Sequence, residues 1–91
     1  MPKAIADPEE IRNFAHVLLD SVNRLRSLRA DVMGRFNELH DHWQDEKYMR
    51  FREVFTTAMS KLEAFLQQGE DYVQYLHRKA QLLDEYLKHR Y

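Results

Sequence analysis

From Ile11 to Trp43, and again from Tyr48 to Leu76, apolar side chains return at alternating intervals of four and three residues, and Ala80, Leu83 and Leu87 then continue the second stripe. That rhythm belongs to a helix with one buried stripe. The first run is Ile11, Ala15, Leu18, Val22, Leu25, Val32, Phe36, Leu39 and Trp43, interrupted by Arg29, with Leu28 placed beside the gap to cover it. The second is Tyr48, Phe51, Phe55, Ala58, Leu62, Phe65, Gly69, Tyr72, Leu76, Ala80, Leu83 and Leu87. Two glycines and two prolines in 91 residues leave little turn chemistry to break these runs, so the chain is expected to be all-α.

One uninterrupted helix of more than about 80 residues would be far outside ordinary lengths. The stretch "LHDHWQDEKYMRF", residues 39 to 51, is the one place where the pattern falters, and a turn is expected at about 41–45. Helix one should run over about 7–42. Asp7 is placed to cap it, Pro8 suits the first helical position, and Glu9 and Glu10 sit where the helix dipole favours anions. Helix two should run over about 45–90, capped by Asp45 and closed by Lys88 and Arg90. Residues 1–6 read as a loose arm. Trp43 would close the corner, where an indole N–H finds a partner more easily than inside a helix. Gly69 falls on the seam itself. It marks either a weak point or a close approach of the neighbouring helix, and the unbroken register across it favours the close approach.

An apolar fraction of 44% with 32% charge fits a single domain over residues 1–91. Fourteen Lys and Arg against fifteen Asp and Glu lack the footprint of a nucleic-acid binder. No cysteine is present for a disulfide framework or a thiolate metal site. No leader pattern opens the chain, and no apolar run reaches the roughly 20 residues that span a bilayer. The expectation is a cytoplasmic protein without stable membrane insertion, whose export, if any, takes a non-classical route.

A hairpin of two such helices is too apolar to stand alone. Met59, Leu66, Val73, Ala80 and Leu87 form a second row beside the first in helix two, and Phe14, Leu19, Leu28 and Met33 lie outside the seam of helix one. Two facing rods would leave these flanks in water, so a second hairpin is expected to cover them in a four-helix bundle. The residues expected to form the core and pairing seam are Leu18, Val22, Leu25, Phe36, Leu39, Phe51, Phe55, Leu62, Phe65, Gly69, Tyr72, Leu76 and Leu83. For Tyr75, Tyr86 and Tyr91, off the seam, partner contact and plain exposure are both open.

Reactive chemistry is scarce. "HDHWQDE" gathers His40, Asp41, His42, Asp45 and Glu46, but histidines two apart diverge on a helix, and a solvated polar corner is the better reading than a zinc or nickel site. His16, His77 and His89 are scattered. There is no nucleophile beside a base and no glycine-rich phosphate loop, so no catalytic residue, cofactor or metal is assigned and no enzyme activity is expected.

A helix opening on "ADPEEIRNFA", a leucine seam, a corner with Trp43, and a second helix of similar seam together resemble the WXG-motif proteins, the small early-secreted-antigen-like proteins of type VII secretion. The resemblance spans nearly the whole chain. It implies a hairpin that pairs head to tail, as a homodimer or with a related hairpin, and is exported as a substrate or as the partner of a larger effector, with a secretion ATPase as a further partner. In that family the motif end of one hairpin lies beside the C-terminal helix end of its partner. Two departures stand out. The corner reads Trp43, Gln44, Asp45 where the family has Trp-x-Gly, and the family's export signal, a tyrosine followed four positions later by an acid, is missing: Arg52, Leu76, Lys79 and Arg90 follow Tyr48, Tyr72, Tyr75 and Tyr86. A partner would then carry the address. The alternative is an intracellular structural or adaptor hairpin with no secretion role.

Overall fold

A computed structural model describes residues 6–89 as two antiparallel helices, α1 (Pro8–Leu39) and α2 (Glu46–His89), joined by a turn at 40–45. Most of the loose arm expected at residues 1–6, together with Arg90 and Tyr91, lies outside the described residues. The protein is an all-α helical hairpin about 69 Å long and under 20 Å across. Asp7 has extended backbone, accepts the Glu9 N–H at 2.9 Å, and is followed by Pro8 at the head of α1. The cap satisfies one orphan donor of the first turn, and Pro8 has no N–H to leave unpaired.

The two helices meet along Ala15 and Val22 from α1 and Tyr48, Leu66, Val73 and Ala80 from α2, all buried. This differs from the expected seam. Leu66, Val73 and Ala80, read as a flanking row, form the centre of the hairpin, whereas Phe65 and Tyr72 stand outside it, 62% and 61% exposed. The reason is size. Ala15, Val22, Gly69 and Ala80 let the backbones come close, and two large aromatic rings between them would hold the helices apart. Arg29 also behaves differently from the simple gap expected of it. It reaches across the interface and its Nε donates to the Met59 carbonyl at 3.0 Å, while Leu28, expected to cover that gap, is 60% exposed.

At Gly69 the helices come close: a Cβ there would lie 2.9 Å from Val22 Cγ2. Val22 is buried and β-branched, so it has little freedom to turn away. Removing a mid-helix glycine is worth up to about 1 kcal/mol, but overpacking costs about 1 to 3 kcal/mol. Gly69→Ala is therefore expected to lose on the order of 1 kcal/mol net. Gly34 has nothing within 4 Å of its added Cβ, so Gly34→Ala is expected to gain about 0.5 to 1 kcal/mol. Urea titrations of the two variants check the pair, and equal stabilisation by both would remove the close-approach explanation of Gly69.

Candidate interaction surface

The corner is built from short local contacts. α1 ends at Leu39, short of the expected residue 42, and unwinds through tight bonds from the Asp41 N–H to the Glu38 carbonyl at 3.2 Å and from the His42 N–H to the Leu39 carbonyl at 2.9 Å. Gln44 donates its amide to the His40 carbonyl at 2.8 Å. Asp45 starts α2: its carboxylate accepts the Tyr48 N–H at 2.9 Å, and its carbonyl accepts the Met49 N–H at 3.2 Å. Among the described residues no backbone φ is positive, so the turn uses side-chain capping where a glycine's freedom would otherwise serve.

Aromatic rings fill the inside of this corner. Phe36 stacks on Phe55 at 4.3 Å and on Tyr48 at 5.6 Å, and the half-buried Trp43 meets Tyr48 edge-on at 5.4 Å and Phe51 at 6.3 Å. Tyr48 is buried and its hydroxyl pairs with His40 Nδ1 at 3.3 Å. The Trp43 side chain acts on the Asp45 carboxyl and helps to hold it below its ordinary value, which couples the tryptophan to the helix cap.

That corner is expected to respond to acid. The Tyr48 N–H, then the Trp43 side chain, and lastly the Lys47 N–H hold the Asp45 carboxyl below its ordinary value, against a smaller opposing effect of burial. A carboxyl depressed in the folded state contributes stability that is present above the unfolded value and lost as pH falls through the folded one. The thermal midpoint is thus expected to fall on acidification through the carboxylate range. Asp45→Asn keeps a cap oxygen without the charge, so part of this acid limb should disappear. Circular dichroism melts across that range check it, and a variant curve parallel to the wild type would exclude Asp45 as a contributor.

The larger feature is a one-sided apolar flank. Side chains turn by roughly 100° per residue, and in an antiparallel pair positions equally offset from the two seams lie on the same side. Phe14, Leu25, Leu28, Val32 and Leu39 of α1 fall on one side of the hairpin with Phe51, Val54, Phe65 and Tyr72 of α2, all exposed. The opposite flank is polar, and there Arg26 pairs with Glu63 and Glu70, and Arg12 with Asp84. Of the residues expected in the seam, Val22 is buried inside the hairpin, and Leu18, Phe36, Phe55, Leu62, Gly69, Leu76 and Leu83 are half-buried at its edge. Leu25, Leu39, Phe51, Phe65 and Tyr72 belong to the exposed flank. Tyr75 and Tyr86 are exposed on the back of α2. An exposed apolar strip of this kind, with the ion pairs gathered on the opposite flank, is a surface that marks protein association.

His16 and His77 meet across the hairpin with ring centres 5.8 Å apart. Among the described residues no three His, Asp or Glu side chains gather closely enough to hold a metal ion. No described helix is long and apolar enough to cross a membrane.

No family model matches the chain. It is similar to the type VII secretion system extracellular protein A of Staphylococcus aureus, in the sequences of strains USA300, Newman and COL alike. The identity is 28% over 78 residues, which cover 86% of this chain and 80% of the relative.

Proposed function

We propose that this chain is a non-enzymatic pairing protein of a type VII-like secretion system, either a small secreted substrate or the partner of a larger secreted effector. The observation that carries the proposal is the apolar flank from Phe14 and Leu25 through Phe51, Phe65 and Tyr72, which a single hairpin leaves in water. A related hairpin, the same chain or another, supplies the matching face, and residues 1–91 act as one unit in the pair. Similarity to an extracellular protein of a type VII system supports the export half of the reading. Trp43, Gln44 and Asp45 set the corner that the machinery or an effector reads.

A specific observation favours a second reading. None of Tyr48, Tyr72, Tyr75 or Tyr86 is followed four positions later by an acid. In the first reading the partner supplies that signal; in the second the hairpin stays inside the cell as an adaptor. The deciding experiment expresses a tagged chain in a host with a working type VII system, with and without its secretion ATPase, and with or without a co-expressed related hairpin. Accumulation in the medium that requires both is the expected result. Retention in the cytosol in every strain would decide for the adaptor.

A further inference from the structure

On the polar flank, α1 and α2 part slightly to form a cleft of about 130 Å³, lined by Arg29, Asn37, Arg52, Thr56 and Ser60 over a floor that includes Phe36 and Phe55. Arg24, Arg35 and Arg50 each have a carboxylate four positions earlier, and Arg12 and Arg26 have theirs across the hairpin. Arg29 and Arg52 have no carboxylate three or four positions away in either direction, and neither takes part in an ion pair among the described residues. Arg29 is half-buried and spends its Nε on the Met59 carbonyl, which leaves its terminal N–H groups without charge compensation. The cleft thus carries two positive charges, three neutral hydrogen-bonding side chains and no acid, in a chain whose net charge is −1.

We propose that this cleft binds one tetrahedral oxyanion, a phosphate or sulfate group. Apolar walls under a single sign of charge focus the field, and guanidinium forks match oxyanion geometry. One arginine fork is enough for a planar carboxylate. Two forks from different helices, with the Thr56 and Ser60 hydroxyls and the Asn37 amide beside them, supply donors for three or four oxygens. The cleft lies on the flank away from Phe51 and Phe65, so pairing through the apolar face leaves it open, and the inference does not depend on export.

The test is a calorimetric titration of the full chain at constant ionic strength with inorganic phosphate, sulfate, phosphoserine and acetate, with folding followed by circular dichroism. One-to-one binding of phosphate with Kd on the order of 1 mM or tighter is expected, and acetate should bind at least tenfold more weakly. Phosphoserine binding more tightly than inorganic phosphate would identify a phosphorylated side chain as the source, whereas the reverse order would identify the free anion. Arg52 is exposed, so Arg52→Gln should fold normally and lose at least tenfold in affinity, while Arg50→Gln, an equal change of charge elsewhere, should keep it. The absence of saturable phosphate binding, equal binding of acetate, or equal losses in both variants would overturn the proposal.

Discussion

Phe65→Glu is expected to turn a two-chain species into a folded single chain. Light scattering on the wild type at micromolar concentration should return twice the chain mass, and the variant should return the chain mass with its helical spectrum intact. Phe65 lies outside the hairpin core, and glutamate is a good helix former, so the fold of one chain loses little. Pairing loses much more. Burying a phenylalanine side chain is worth about 1.5 to 3 kcal/mol, a symmetric pair buries two, and the weakening expected is therefore roughly a hundredfold to ten-thousandfold in Kd. Asn23→Glu, on the polar flank, should leave the mass unchanged. A fully helical wild type with the mass of one chain would exclude self-pairing and leave a different hairpin as the only occupant of the flank.

What could be read from the sequence and what could not divides along the range of the interactions. Asp7 with Pro8, and Asp45 with Glu46, announce helix starts because a cap is a contact between residues two or three apart, and the hydrogen bonds follow from residue type alone. The two long helices are equally legible from the rhythm of apolar residues. Which row faces the neighbouring helix is another matter. The row of Phe51, Ala58, Phe65 and Tyr72 and the row of Met59, Leu66, Val73 and Ala80 both repeat every seven residues, so periodicity ranks them equally. Only the packing of the two helices separates them: Ala15 and Val22 of α1, with the close approach at Gly69 of α2, accept small and aliphatic side chains and refuse the aromatic row. The signal was present in the small residues, though it needed the pairing register before it could be used.

Arg29 and Trp43 show the same limit from the polar side. A lone arginine at a seam position reads as an interruption, and nothing local says that its Nε finds the Met59 carbonyl 30 residues away. The indole N–H of Trp43 needs an acceptor for the reason that applies to any buried indole, but that its side chain comes to act on the capping carboxylate of Asp45 becomes visible only once the corner is folded. The candidate surface was legible as an excess of apolar residues. Its one-sidedness was not, because it depends on both helices placing their offsets on the same side of an antiparallel pair.

Leu66→Ala should have the largest effect on the fold itself. Leu66 is 0% exposed and lies between the Glu63 and Glu70 contacts with Arg26 on one side and the Gly69 approach to Val22 on the other. Truncating a buried leucine costs about 2 to 5 kcal/mol, and a small domain holds about 5 to 15 kcal/mol in total. At roughly 4 to 8 °C per kcal/mol for a chain of this size, the midpoint should fall by tens of degrees. Phe65→Ala, one residue away and a larger truncation, is the informative contrast. If the flank is covered only by a partner, its loss should appear as a weaker dependence of the midpoint on protein concentration, whereas the Leu66 loss should persist at every concentration. Thermal melts of both variants over a wide dilution series separate the two. A Phe65→Ala midpoint below that of Leu66→Ala at the lowest concentration would mean that the aromatic row packs inside the hairpin, and the assignment of core and flank would have to be reversed.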